Sequence, residues 1–218
     1  MRINKISVYR ISIPFNLQVS HNLYNGTETE AIVVVAEDES GLAGYGEGTP
    51  RVFVTGETLD KTIEAAHSLA EQLAANEFHT FKGLADYLEI TGSLELSQRY
   101  PSAWCALELA TLDLWAKKAG KPLWRLFAQK PAADPYVYSA VIPVVPERSL
   151  LQLLNMVKKL QQKFVKLKIA DKDSGISTIK LAREILGPNV DLRVDCNGAF
   201  SPEEAIAFIE EVQPFGIS

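Results

Sequence analysis

From Ile3 to Ile13 the stretch "INKISVYRISI" alternates apolar and polar residues, the two-residue period of a strand with one buried face. "EAIVVVAED" (Glu30 to Asp38) is a nearly continuous apolar run, and "GLAGYGEG" follows the polar turn at Glu39-Ser40-Gly41. Two neighbouring runs joined by a short turn predict an antiparallel hairpin, and the first strand can complete a three-stranded meander. Between the first two strands "NLQVSHNLYNGTET" reads as a polar loop with Asn25-Gly26 as its turn signal. "TPRVFVTGET" after Gly48 is a second irregular stretch. Helices follow. In "TLDKTIEAAHSLAEQLAANEF", Leu59, Ile63, Ala66, Ala70 and Leu73 recur at helical spacing, with Thr58 at the N-cap position. "PSAWCALELATLDLWAKKAGKP" opens on Pro101-Ser102 and closes on Gly120 and Pro122. It is apolar over most of its surface, which predicts a helix buried between layers, with Glu108 and Asp113 in pairing or packing roles.

Beyond Pro135 the rhythm changes. "PYVYSAVIPV", "FVKLKIA", "VDLRVDCNG" and "FGIS" read as strands, and "RSLLQLLNMVKKLQQK", "DSGISTIKLAREILG" and "SPEEAIAFIEEVQP" as the helices between them. Strand starts near Tyr136, Phe164, Val190 and Phe215 recur at intervals of 25 to 28 residues. Alternating β and α units at a steady spacing mark a parallel sheet covered by helices. The predicted fold is therefore α/β, with an N-terminal α+β part.

Composition narrows the function. The 218 residues are 47% hydrophobic and 22% charged, ordinary for a globular protein. A net charge of -5 argues against a nucleic-acid footprint, and no apolar run approaches the ~20 residues of a membrane helix. Cys105 and Cys196 form no disulfide framework or metal knuckle, which makes a reducing, cytoplasmic setting the default. His21, His67 and His79 are too scattered for a zinc site.

Lys166 and Lys168 share one face of "FVKLKIA". A half-buried strand with its polar face in water would explain them. In a parallel sheet curled into a barrel they would instead point inward near the carboxyl end of their strand, where barrel enzymes keep their chemistry. On the next strand Asp195 and Asn197 also lie two apart, just before Gly198, so adjacent strands would present two amines and an Asp/Asn pair at one level. Asp195 is a hard oxygen ligand suited to Mg²⁺, Asn197 adds a neutral oxygen or an amide donor, and Cys196 faces the other way as a packing residue. Lysines beside a divalent cation suit removal of a carbon-bound proton next to a carboxylate. Burial, a second ammonium and a nearby cation all push a lysine towards the basic amine.

"GYGEGTP", "VTGET", "SAWCALELATLDLWAKKAGKPLWRLF", "KLK" and "VDCNGAFSPEEA" together, in this order and spanning most of the chain, resemble the enolase superfamily in its muconate-lactonizing branch, with the dipeptide epimerases as the nearest flavour. The resemblance implies an α+β capping domain over residues 1–130 and the first part of a (β/α) TIM-type barrel over 131–218. It implies that Lys168 is an acid/base, that Lys166 assists electrostatically and that Asp195 is a Mg²⁺ ligand with Asn197 nearby. It points to the loops 16–26 and 51–56 as selectivity elements, with His21, Tyr24, Arg51 and Phe53 as substrate-side candidates. The implied substrate is a small-molecule carboxylate, an amino acid or dipeptide to be racemised or epimerised, and the implied assembly is a homo-oligomer.

Members of that family carry two further acidic ligands and an opposing lysine on later strands. An eight-stranded barrel needs about 200 residues, more than twice the number that lie beyond position 130. The expectation is a chain cut after the third β/α unit, inactive alone, with Mg²⁺ weakly bound or absent, its activity belonging to a longer parent. Two alternatives stand beside it: another reaction of the same branch (succinylbenzoate-type dehydration or cycloisomerisation), or a non-catalytic half-barrel that associates with another chain.

Overall fold

The computed structural model describes residues 1–21, 24–131 and 136–218, with side chains outside 16–26. The chain divides into two compact units, Met1–Leu17 with Thr27–Ala132, and Gln18–Gly26 with Ala133–Ser218.

β1 (Ile3–His21), β2 (Tyr24–Asp38) and β3 (Ala43–Gly48), which apart from Gln18–Gly26 belong to the first unit, form a sheet in that order, and β2 pairs antiparallel with β3 from Ile32↔Gly48 to Glu37↔Ala43. Helices α1 (Leu59–Ala74), α2 (Phe81–Gly92), α3 (Glu95–Arg99) and α4 (Pro101–Lys118) follow. The β2–β3 turn is built around Asp38. Its Oδ1 accepts from the Ser40 N–H and hydroxyl and from the Leu42 N–H, and its Oδ2 pairs with Lys118 Nζ at 2.6 Å. The Lys118 contact, ahead of the Ser40 hydroxyl, holds the Asp38 carboxyl far below the usual carboxylate range.

The alternation of β3 does more than bury one face. Gly44, Gly46 and Gly48 are buried and lie directly on α4, and a Cβ at each would fall 2.1, 2.0 and 2.0 Å from the main-chain oxygens of Ala110, Ala106 and Ser102. No side chain fits there. Glycine lets helix backbone and strand backbone touch, with Ile32, Val34, Ala36, Leu107 and Leu114 filling the core around them.

Two readings of this unit are corrected. The stretch 16–29, expected as a polar loop, is strand as far as His21 and again from Tyr24, with positions 22–23 outside the described residues. Cross-strand polar contacts, Arg10 to Glu30 at 2.7 Å and Ser12 to Glu28 at 2.6 Å, join the two strands just before it, and a ladder of backbone hydrogen bonds does not require an apolar face. Helices α2 and α3 were not expected at all.

The second unit is a parallel sheet of β4 (Ala140–Ile142), β5 (Phe164–Lys168) and β6 (Asp191–Asp195), with α5 (Glu147–Lys159), α6 (Lys172–Leu186) and α7 (Pro202–Val212) in the connections. Ile217 adds a parallel bridge to Leu192. Val165, Leu167 and Ile169 pack with Leu192, Ile179 and Phe208 in a separate core. The first strand starts later than expected. Tyr136, Val137 and Tyr138 are exposed with no strand assignment, and β4 begins only at Ala140. Helix α7 starts on a capping box between Ser201 and Glu204, and α6 on Asp171, which accepts from Ser174. Arg183 at the end of α6 donates to four backbone carbonyls, those of Phe215, Gly187, Val190 and Gly216, at 2.8 to 2.9 Å. It thereby fixes the chain entering β6 and the chain leading to Ile217. No helix among the described residues is long and apolar enough to cross a membrane.

Candidate active site

The period-two pattern of β5 sends Val165 and Leu167 into the core and leaves Lys166 and Lys168 on the opposite face. The parallel register sets Lys168 directly beside Asp195. Three side chains converge there. Lys166 Nζ lies 2.7 Å and Lys168 Nζ 3.5 Å from Asp195 Oδ2, with the lysines 40% and 29% exposed and the aspartate 21%. The hydrogen bond from Lys166, against some opposing burial, lowers the Asp195 carboxyl below its ordinary value.

Asn197 joins them by a different route from the one expected. Strand β6 ends at Asp195, and Asn197 sits in the turn beyond it with φ 45°, followed by Gly198 at φ 70°. That left-handed backbone costs an ordinary L residue on the order of 1 kcal/mol, and asparagine tolerates it better than most. The Asn197 N–H donates to Asp195 Oδ1 at 3.0 Å, and Asn197 Oδ1 accepts from Lys168 at 2.8 Å. Cys196 turns away and packs at the margin of the core, with its thiol pushed up by burial.

Two ammonium groups against one carboxylate leave a positive charge uncompensated, which favours an anionic ligand. The same donor set fits Mg²⁺ poorly on its own. Magnesium demands near-octahedral oxygen coordination, whereas Asp195 is a single carboxylate whose Oδ2 already faces two ammonium groups. No three of His, Cys, Asp and Glu converge to hold a metal ion, here or elsewhere among the described residues.

Arg51 and Phe53 belong to the first unit. The Arg51 guanidinium donates to the carbonyls of Glu30 at 2.8 Å and Pro50 at 2.7 Å and to the Thr29 hydroxyl. Those contacts fasten the turn 51–56 to β2, so Arg51 serves as an anchor of that loop. Glu57, buried, closes its other end by accepting from the Ser102 N–H at 2.9 Å and hydroxyl at 2.6 Å at the start of α4. Sequence reasoning missed Glu57, although an acidic residue closing a loop that leads to a helix carries some signal. Val52 and Val54 stand exposed on the turn and Phe53 is half-buried. The side chains of His21 and Tyr24 lie outside the described residues.

With this geometry in hand, comparison with known proteins gives a consistent result. The N-terminal domain model of the mandelate racemase / muconate lactonizing enzyme family matches residues 5–128, and the enolase C-terminal domain-like model matches 150–218. The hydrophobic dipeptide epimerase of Enterococcus faecalis is 27% identical over 220 residues, covering all of this chain and 60% of the relative. The L-Ala-D/L-Glu epimerase of Bacillus subtilis is also 27% identical over 220 residues, covering all of this chain and 58% of its own length. The substrate-liganded structure of that Bacillus subtilis enzyme superimposes with a TM-score of 0.83 at 26% identity, over all of this chain and 60% of the other. The Enterococcus faecalis dipeptide epimerase complexed with Mg and L-Leu-L-Tyr gives 0.84 at 26%, with the same coverage. The chain thus spans about 60% of the length of these relatives.

Proposed function

This chain belongs to the mandelate racemase / muconate lactonizing enzyme family, and from that premise we propose that its second unit supplies one proton-transfer face of a racemase or epimerase acting on an amino-acid or dipeptide carboxylate. The observation that carries the reading is the convergence of Lys166, Lys168 and Asp195 at the carboxyl ends of two adjacent parallel strands. Lys168, as the amine, removes the α-proton of the bound substrate and becomes the ammonium. Negative charge then moves onto the substrate carboxylate. Lys166, oriented by its 2.7 Å contact with Asp195, places a fixed positive charge close by. Asp195 is proposed as one oxygen ligand of a divalent cation, whose remaining ligands are not supplied by the described residues. Such a cation would stabilise the charge developing on the carboxylate. Inverting the α-carbon also requires a second acid on its opposite face, so the proposal concerns a polypeptide of the relatives' length and not the isolated chain.

A chimaera tests it: residues 1–218 joined to the part of the Bacillus subtilis enzyme that lies beyond the match. With Mg²⁺ and dipeptides in deuterated water, α-proton exchange followed by NMR is expected from the chimaera and not from the 218-residue chain. Lys168→Ala is expected to slow exchange by roughly 10²- to 10⁴-fold, the usual contribution of a positioned general base. Undiminished exchange of both substrate stereoisomers by that variant would refute the assignment.

A further inference from the structure

We propose that Asn197 is the positioning residue of Lys168, and that it works by offering the lysine an uncharged acceptor in place of Asp195. Two acceptors lie within reach of the Lys168 ammonium. It is 2.8 Å from Asn197 Oδ1 and 3.5 Å from Asp195 Oδ2, so the closer partner is the neutral one, although charged pairs make the stronger hydrogen bonds. Asp195 is meanwhile held from both sides, by Lys166 on Oδ2 at 2.7 Å and by the Asn197 N–H on Oδ1 at 3.0 Å. One residue therefore does two things: its backbone orients the carboxylate and its side chain draws Lys168 away from it.

The backbone of Asn197 supports this assignment. Its φ of 45° lies in the left-handed region, and the turn is closed by the Ala199 N–H donating to the Cys196 carbonyl at 2.8 Å. Glycine would adopt this conformation without strain. A side chain at this position strains the backbone, and what the asparagine contributes in return is its carboxamide contact with Lys168.

The kind of acceptor matters to a base. An amide oxygen accepts an N–H from either form, so Asn197 can hold the Lys168 nitrogen in one place before and after proton transfer. This functional consequence rests on the epimerase reading above, whereas the positional claim does not.

The test uses the 218-residue chain with ¹³C-labelled lysine, the Lys168 signal being identified through Lys168→Arg. In Asn197→Gly, which retains the backbone conformation and lacks the acceptor, the order parameter of the Lys168 ε-methylene should fall below about 0.6, the range of a flexible group. Lys166 should be unaffected, and Asn197→Asp, which keeps an oxygen in place, should restore the order at Lys168. Retained order in the glycine variant, an equal loss at Lys166, or failure of the aspartate to restore order would each overturn the proposal. In the chimaera, Asn197→Gly should lower kcat roughly tenfold or more at unchanged KM. Order lost with kcat intact would overturn the functional half. An inactive chimaera would count against the epimerase reading alone and leave lysine ordering to decide this one.

Discussion

Replacing Gly46 by alanine adds one methyl group, and the surroundings of that methyl set the cost. It would sit 2.0 Å from the Ala106 carbonyl oxygen and 2.6 Å from the Ala110 nitrogen, where ordinary Cβ contacts begin near 3.4 Å. Strand and helix must then separate locally by about 1.4 Å. The obstructing atoms are main chain held within α4, so no flexible side chain can swing aside. A gap of ~1 Å already forfeits a quarter to a half of each dispersion contact across the seam, and overpacking of cores generally costs about 1–3 kcal/mol, occasionally more. With the flanking Gly44 and Gly48 contacts opened as well, about 3–5 kcal/mol is expected, against the ~5–15 kcal/mol that holds a domain folded. Gly41→Ala is the control. Gly41 has φ 81° and nothing within 4 Å of the point an added methyl would occupy, so only a backbone cost of about 1–2 kcal/mol applies. Trp104, Trp115 and Trp124 all fall in the first unit, which lets fluorescence follow its urea unfolding alone. At a slope of ~2 kcal/mol/M the midpoint should drop by roughly 2 M for Gly46→Ala and by about 0.5–1 M for Gly41→Ala. Equal shifts would refute the close-contact argument.

Two further outcomes are expected. Arg183→Met keeps the aliphatic stem and removes every donor to the four carbonyls it binds; with hydrogen bonds from a charged group worth ~1.5–3 kcal/mol each and water able to replace some of them, a loss of about 2–3 kcal/mol should appear as faster amide exchange across Asp191–Asp195, and unchanged exchange there would refute the clamp. Because the folded Asp38 carboxyl is held below its ordinary value of 3.8, its stabilisation is complete above that value and is lost as pH falls towards the folded pKa. The gap in urea midpoint between the parent and Asp38→Asn should therefore shrink between pH 5 and about 2, and a constant gap would show that the Lys118 pair contributes nothing.

The lysine pair and Asp195 were legible because a strand repeats every two residues and the β/α spacing places consecutive strands side by side. Both facts depend on backbone geometry alone. Asn197 was legible by identity and not by conformation: its spacing from Asp195 suggested a shared strand face, whereas a left-handed turn delivers the side chain. The anchoring contacts of Arg51 could not be read from the sequence, since two of its partners are the main-chain carbonyls of Glu30 and Pro50, and carbonyls leave no mark in a sequence. Helix α2 left a faint signal: Thr80 caps it by accepting from the Gly83 N–H, and Leu84 and Leu88 are its buried apolar positions, a stripe too narrow to stand out. The late start of β4 follows from Tyr136 to Ser139 having no ladder partner, which composition does not reveal.

The glycines of β3 match two rulers of different length. Their partners on α4, Ser102, Ala106 and Ala110, are four helical residues apart, about 6.0 Å, while successive glycines advance two strand residues, about 6.6–6.8 Å. Stepping by four also carries the row of carbonyls about 40° around the helix, which lengthens the distance between them on its surface, and the three contacts keep step at 2.1, 2.0 and 2.0 Å. A row of every-fourth carbonyls and a row of every-second glycines thus make one seam without side chains, the two repeats being close enough in length to run together from Gly44 to Gly48.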